Sequence, residues 1–300
     1  MVSAVILAYN RCPEVLITIN SLKQLRSTLS FNLQIVVVDN ASVDDTSKKV
    51  NLLHPDVTLV TKEKNNGIAG WNEGFKVAKE KYILVLDDDS NVESGLPEAV
   101  DYLEQNADIG ILALQIKDLY SGINDKLDPE TAWKNKQDVE GFIGCGAIIR
   151  KELFNKIGGY GEWIYVYTHE FDYSLRCLNA GYRVVFFGDA VVLHRKSQVN
   201  RTNKRARIYS TRNEMAIVYK FFPKKRWTYL WRVWVNSLKS IKAEGFASGY
   251  NVFLGGLEFL KLRKKLAYTP VSPDVQKYYT ERFNSTKPIF GNLVKKFFPK

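Results

Sequence analysis

Three consecutive aspartates, Asp87, Asp88 and Asp89, close the apolar run Tyr82–Asp87 of this 300-residue chain. Carboxylates this close repel one another and cost stability unless a cation or donor groups compensate. Hard oxygen ligands of this kind suit Mg²⁺ or Mn²⁺, which commonly bridge one or two carboxylates and a diphosphate. The same acids could cap a helix over Val92–Leu96, but a cap needs one side chain and this loop has three. A second pair of carboxylates, Glu170 and Asp172, lies in THEFDYSLR (Thr168–Arg176). Leu175, Leu178 and Tyr182 follow at i, i+3 and i+7, the pattern of an amphipathic helix ending near Gly181. Glu170 and Asp172 then fall in or just before its first turn, where the helix dipole also favours negative charge.

Short β-branched runs and amphipathic stretches alternate around these acids. Strands are expected at Val2–Ala8, Gln34–Asp39, Val57–Lys62, Tyr82–Asp87 and Ile109–Ile116, and helices at Glu14–Thr28, Thr46–Leu53, Gly70–Lys79 and Gly95–Asn106. Two more apolar segments, Arg183–Phe187 and Val191–His194, follow the Glu170 helix. Alternation with undivided apolar strands predicts an open, twisted, mostly parallel α/β sheet flanked by helices. Ligands of such sheets bind beyond the carboxyl ends of the strands. The strand-end residues here are polar: Tyr9-Asn10-Arg11, Asp39-Asn40 and Asp87 to Ser90.

Cys12, Cys145 and Cys177 are odd in number and lack CxxC spacing, which argues against a zinc site or a disulfide framework and for a reducing compartment. The opening MVSAVILAYN reads as a core strand rather than a signal peptide, and no stretch approaches the ~20 apolar residues that span a bilayer. Charge divides unevenly. Residues 1–198 carry 21 Lys+Arg against 27 Asp+Glu, whereas residues 199–300 carry 22 against 5, a balance of +17 within the overall +11. A basic tail of this kind fits a solvated surface or an anionic partner.

Five segments in this order resemble the family 2 glycosyltransferases of the GT-A fold, particularly their rhamnosyltransferase-like bacterial branch. They are VVVDNASVDDT (Val36–Thr46), NNGIAGWNEGF (Asn65–Phe75), LVLDDDS (Leu84–Ser90), GFIGCGAIIRKELFNKIGGY (Gly141–Tyr160) and HEFDYSLRCLNAGY (His169–Tyr182). The resemblance covers about residues 2–200 and implies a GT-A catalytic domain over 1–200, with a nucleotide-sugar-binding half at 1–116 and an acceptor half at 117–200. A basic, Trp-rich helical region at 201–300 would follow. It implies that Asp39 and the loop Ala8, Tyr9 and Asn10 contact the nucleobase. Asp87 would face the ribose, Asn66, Gly67, Asn72 and Asp88 would belong to the same nucleotide-sugar site, and Asp89 and His194 would ligate the metal. His194 also reads as a structural histidine closing a strand. The base of the family is the second residue of a Glu-Asp pair, which here reads His169-Glu170. Glu170 therefore takes the base position, and Asp172 matches a following Asp that supports helix and site.

The resemblance further implies an inverting enzyme of cell-envelope polysaccharide synthesis, dependent on Mn²⁺ or Mg²⁺. A UDP- or dTDP-sugar would be its donor and a glycan or lipid-linked hydroxyl its acceptor. No nucleophile sits beside a base as a covalent mechanism requires, which fits single displacement. The Gly144-Cys145-Gly146 turn allows close backbone approach to donor sugar or acceptor. Trp163 could stack on an acceptor ring or pack inside the protein. In the tail, Trp227, Trp231, Trp234, Leu238 and Ile241 recur at steps of 4, 3, 4 and 3 among Lys and Arg. One helix lying on an anionic membrane surface, packing on the catalytic domain or pairing in a homodimer would each use that face, and nucleic acid is not expected. A cytoplasmic protein, peripheral at the inner face of the membrane, follows. A nucleotidyltransferase or an oxidoreductase would need a glycine-rich loop where this chain has Ala8 to Pro13. A non-catalytic binding module would not need Asp87–Asp89 and Glu170 together.

Overall fold

The computed structural model describes residues 1–118, 133–195 and 202–285. Two compact units are present, one of residues 1–165 and 169–198, the other of residues 166–168 and the chain from 199 on.

The first unit is built on eight strands: β1 (Val2–Ala8), β2 (Leu33–Asp39), β3 (Thr58–Thr61), β4 (Tyr82–Asp87), β5 (Ser90–Ser94), β6 (Ile109–Asp118), β7 (Ala147–Arg150) and β8 (Arg183–His194). They form one sheet in the order β3-β2-β1-β4-β7-β6-β8-β5. The pairs β1–β2, β2–β3, β1–β4 and β6–β8 are parallel, and β7 and β5 pair antiparallel with their neighbours. The sheet is thus mixed. Its helices are α1 (Cys12–Arg26), α2 (Thr46–Leu53), α3 (Trp71–Val77), α4 (Leu96–Gln105), α5 (Lys151–Ile157) and α6 (His169–Asn179). Successive residues of a strand face opposite sides, so a sheet covered on both faces must be apolar throughout. Ala4 and Ile6 of β1 accordingly join Val15, Ile19 and Leu22 of α1 and Leu103 of α4 in one core. Val5, between them, joins Trp71, Phe75, Tyr160 and Tyr173 in the core of the other face.

Two expectations change here. The segments at Arg183–Phe187 and Val191–His194 form a single strand, because β6 skips from a partner at Phe187 to one at Val191 and the residues between bulge out. Ser90–Ser94 forms an edge strand not expected from the sequence, which removes the alternative of a helix over Val92–Leu96, while α4 follows Gly95 as expected. Gly95 is left-handed (φ 78°), and a Cβ there would come within 2.1 Å of the Asp189 carbonyl oxygen.

The second unit holds α7 (Asn203–Phe221), α8 (Arg226–Ser237), α9 (Ser240–Glu244), α10 (Phe246–Leu262) and α11 (Pro273–Ser285). Thr202 caps α7 by accepting from the Arg205 N–H at 3.2 Å. Gly255 lets α10 approach α7 closely, since a Cβ there would lie 2.8 Å from the Ile208 carbonyl oxygen. The single helical face expected from Trp227 to Ile241 is interrupted. Ser237 donates its hydroxyl to the Val233 carbonyl (3.0 Å) and Ser240 to the Ser237 carbonyl (2.8 Å). Such local hydroxyl bonds compete with the helical ladder, and α8 ends at Ser237. Leu230 and Val233 form its buried side, while Trp227 and Trp231 are 61% and 60% exposed. Among the described residues no helix is long and apolar enough to cross a membrane.

Candidate active site

Parallel register puts the first acids side by side. Ala8, at the end of β1, pairs with Asp39 of β2, and Leu7 pairs with Asp87 of β4. The strand order turns in opposite directions from β1, to β2 on one side and β4 on the other, so a crevice opens at this end. The loops after β1 and β2 are stitched together. The Asn40 N–H donates to the Ala8 carbonyl (2.9 Å), the Asn10 N–H to Ser42 Oγ (2.9 Å), and the Val43 N–H to Asn10 Oδ1 (2.8 Å). Asn10 adopts φ 54° in this arrangement. Asp39 is buried, with Oδ1 accepting from the Ser42 N–H (2.9 Å) and Oδ2 from the Ser47 hydroxyl. Tyr9 is exposed beside it.

The glycine-rich segment before α3 supports this crevice from the side. Gly67 has φ 61°, and a Cβ there would come within 1.9 Å of the Tyr165 carbonyl oxygen. Asn66 is exposed, and its N–H donates to Asn40 Oδ1 at 3.2 Å. Asn72 has its amide engaged on backbone. Its Nδ2 donates to the Tyr160 carbonyl (2.9 Å), and its Oδ1 accepts from the Tyr160 N–H (2.7 Å).

β8 brings the remaining metal candidate to the acid trio. Ser90 pairs with His194, and the Arg195 N–H donates to the Asp89 carbonyl at 2.9 Å. His194 Nε2 consequently lies 3.2 Å from Asp89 Oδ1 and 3.8 Å from Asp87 Oδ2. Ligand atoms of Asp87, His194 and Cys145 all fall within 4.8 Å of one another. Two carboxylates and an imidazole beside a thiol are a donor set that can hold a divalent cation. Asp88 points differently. Its Oδ1 is 3.0 Å from Arg11 Nη1, which also stands 3.2 Å from Asp89 Oδ2. Burial pushes the Asp88 carboxyl up to about 7, with Asp89 and Asp87 adding to the rise and Arg11 opposing it.

Under this loop lies Arg195, buried and fully engaged. Its guanidinium donates to the Asp88 carbonyl (3.1 Å), Thr18 Oγ (2.9 Å), Asn91 Oδ1 (2.6 Å) and Glu14 Oε2 (2.7 Å). Of the residues around the acids, Arg195 was not named from the sequence, while Arg11 and Cys145 were named only as part of a strand end and a glycine turn. Arg195 stands next to His194, and that adjacency was the available signal.

Glu170 opens α6. Its Oε1 accepts from the Gly144 N–H (3.2 Å), and its Oε2 lies 3.1 Å from His169 Nδ1. His169 is buried, stacked on Trp71 (centroids 6.0 Å apart, 19° between planes) and edge-on to Tyr160 at 4.8 Å. Burial raises the Tyr160 hydroxyl well above its ordinary value, and Tyr173, Glu170 and Asp87 add to that rise. Asp172 faces elsewhere: buried, it accepts from Arg176 Nη2 (2.7 Å) and Nε (2.9 Å). Arg176 in turn holds the Ile157 and Gly159 carbonyls at 2.9 and 2.8 Å. Trp163 is half-buried with its indole against Gly161.

Comparison with known proteins gives a consistent set of likenesses. The family description "Glycosyl transferase family 2" matches residues 3–158. An uncharacterized glycosyltransferase of Haemophilus influenzae is 26% identical over 190 residues, 59% of this chain, and the chain spans 62% of that relative's length. Among solved structures, the mannosyltransferase PcManGT of Pyrobaculum calidifontis, in complex with GDP-Man and Mn²⁺, superposes with a TM-score of 0.57 at 17% identity. The match covers 100% of this chain and 87% of that one. TarS of S. aureus (residues 1–349, with UDP-GlcNAc) gives 0.61 at 15% identity, covering 94% and 84%.

Proposed function

Since the chain belongs to glycosyl transferase family 2 and has the GT-A fold, we propose that it is an inverting, metal-dependent enzyme. It moves a hexosyl group from a UDP- or dTDP-sugar to a hydroxyl of a glycan or lipid-linked acceptor, on the cytoplasmic side of a membrane. The observation that carries the reading is the convergence of the Asp87, Asp89 and His194 ligand atoms at the ends of β4 and β8, with Glu170 held by the Gly144 N–H. The UDP-GlcNAc complex of TarS supports a uridine donor, and GDP-Man in PcManGT makes a guanosine donor its competitor.

In this mechanism Asp39 and the Ala8–Asn10 loop seat the nucleobase, and Asp87 faces the ribose. Glu170 accepts the proton of the acceptor hydroxyl as its oxygen attacks the anomeric carbon. The bond to the diphosphate oxygen breaks with its electron pair leaving on the diphosphate. Asp89 and His194 would hold Mn²⁺ or Mg²⁺, which when bound neutralises charge on the departing diphosphate. Arg176 keeps Asp172 out of proton transfer and fixes the first turns of α6, so Asp172 is a positioning residue. Gly144 and Trp163 border the acceptor side.

Nucleotide release from a panel of UDP-, dTDP- and GDP-sugars with Mn²⁺ tests the reading. One UDP- or dTDP-sugar should turn over, and both EDTA and Asp89→Ala should abolish metal-dependent donor binding with the fold intact. Full activity in EDTA would refute the metal assignment.

A further inference from the structure

Helix α10 carries a second apolar stripe. Phe246, Tyr250, Phe253, Leu257 and Leu260 recur at steps of 4, 3, 4 and 3, a single face of a helix. That face is turned outward: Phe246 is 91% and Tyr250 63% exposed. The inward face is another set, Val252, Gly255 and Phe259. α8 shows the same inversion, with Leu230 and Val233 buried and Trp227 and Trp231 exposed. The two outward faces meet. Trp227, Trp231 and Trp234 line one groove of about 400 Å³ with Phe253, Leu257 and Leu260. Trp234 lies beside Gly256, and Trp227 shares the groove with Arg263, so the helices run antiparallel, the start of α8 next to the end of α10. Lys224, Lys225 and Arg226 lead into α8, Arg263, Lys264 and Lys265 follow α10 in the chain, and Arg263 reaches the groove beside Trp227. On α10, Glu258 is paired with Lys261 at 2.7 Å.

We propose that the α8–α10 face is a two-helix platform that docks on an anionic lipid surface, with its aromatics in the headgroup–acyl boundary and the cationic end on lipid phosphates. Contiguous exposed apolar area calls for a partner. The amphipathic tips of Trp and Tyr together with a basic rim match an interface that is apolar below and negatively charged above. The +17 balance of residues 199–300 complements that charge. A protein partner with an apolar patch would match the groove but not this charge. The proposal deepens the lipid-linked acceptor reading by naming the surface that would bring the chain to such an acceptor.

Cosedimentation of the full chain with phosphatidylcholine vesicles, with and without phosphatidylglycerol, tests it. Binding should need the anionic lipid, weaken as salt rises, and keep a salt-resistant part. Trp231→Gln with Phe253→Gln should lower binding ~100-fold or more at an unchanged melting temperature, because both side chains are exposed in water. Lys264→Glu with Lys265→Glu should cost at least ~10-fold and remove the salt-sensitive part. Phe246→Gln, at the most exposed position, should weaken binding without touching stability. A wild-type chain that ignores anionic vesicles overturns the proposal. So does a wild-type dimer that the Trp231/Phe253 variant converts to monomer, which would assign the face to a second copy. A large fall in melting temperature for that variant would assign it to internal packing. No sugar donor enters these assays, so their failure leaves the transferase reading standing. Loss of turnover in a base variant would leave vesicle binding intact.

Discussion

Replacing Gly144 by alanine isolates the support of the proposed base from the rest of the site. Gly144 is outside the left-handed region, so alanine can take its backbone conformation without strain. The added Cβ is what matters. It would lie 2.7 Å from His169 Nε2, 2.8 Å from His169 Cε1 and 3.1 Å from Glu170 Oε1, where ordinary contact begins at 3.4 Å. His169 has little room to yield, being buried between Trp71 and Tyr160. With His169 fixed, the relief must come from the Gly144 backbone, whose shift carries its N–H off the Glu170 carboxylate. A hydrogen bond to a charged group is worth ~1.5–3 kcal/mol, and each 1.36 kcal/mol of barrier is tenfold in rate. Turnover should therefore fall by ~10–100-fold. The donor KM should stay near the wild-type value, because Asp39 and the loop after β1 are held by their own hydrogen bonds to Ser42, Ser47 and Asn40. Steady-state kinetics with the donor identified by the panel, paired with a melting curve, would read both quantities. Wild-type turnover in a folded Gly144→Ala protein would refute the placement of the base.

Glu170→Gln keeps the acceptor for the Gly144 N–H but cannot take a proton, so turnover should drop ~10²–10⁴-fold with donor affinity retained in calorimetry. Asp172→Asn should act on stability first. It removes the charge facing Arg176 on a buried carboxyl, and a fall of several degrees in melting temperature is expected, larger than for Glu170→Gln. If Asp172→Asn instead melts normally and is catalytically dead, the two carboxylates have exchanged roles. Asp88 gives a pH test. Its folded value, about 7, lies above the ordinary 3.8, so the folded state favours the protonated form. The stability of the metal-free protein attributable to Asp88 is complete below about pH 4 and is lost as pH rises towards 7. Asp88→Asn should flatten that part of the melting-temperature profile, and an unchanged slope would remove Asp88 as its source.

Much of residues 1–116 was readable because the signal there is local. β1 and β4 begin and end where expected from their apolar runs, since a strand buried on both faces must be apolar nearly from end to end. β5 was not readable: Ser90–Ser94 is a short edge strand with only Ser90 and Val92 buried, and its partner lies about a hundred residues away in β8. The same distance hid Arg195, whose importance is a pairing register that no window of sequence displays. Periodicity placed Glu170 at the start of a helix and the resemblance alone suggested it as base, whereas its contact with the Gly144 backbone is visible only in the fold. The tail shows the opposite failure. The stripe on α10 repeats as cleanly as the one on α8, yet an indole is more conspicuous than a phenyl ring or a leucine. Periodicity reports that a face is apolar, not which way it turns, and both α8 and α10 bury the set of residues between the stripes.

Arg11 gives the acid loop a consequence of its own. Its guanidinium bridges Asp88 and Asp89 from the end of β1, and the three acids raise its pKa despite burial, so it stays charged at every physiological pH. The loop therefore carries an internal counter-ion in the absence of any other. A divalent cation arriving at Asp89 must compete with a tethered charge whose local concentration never falls, which weakens its intrinsic affinity without changing a ligand. A diphosphate entering beside it offers the displaced guanidinium a new partner. Binding of the two is then coupled: each should tighten the other by the same factor, and cation or nucleotide measured alone will understate how strongly the pair is held.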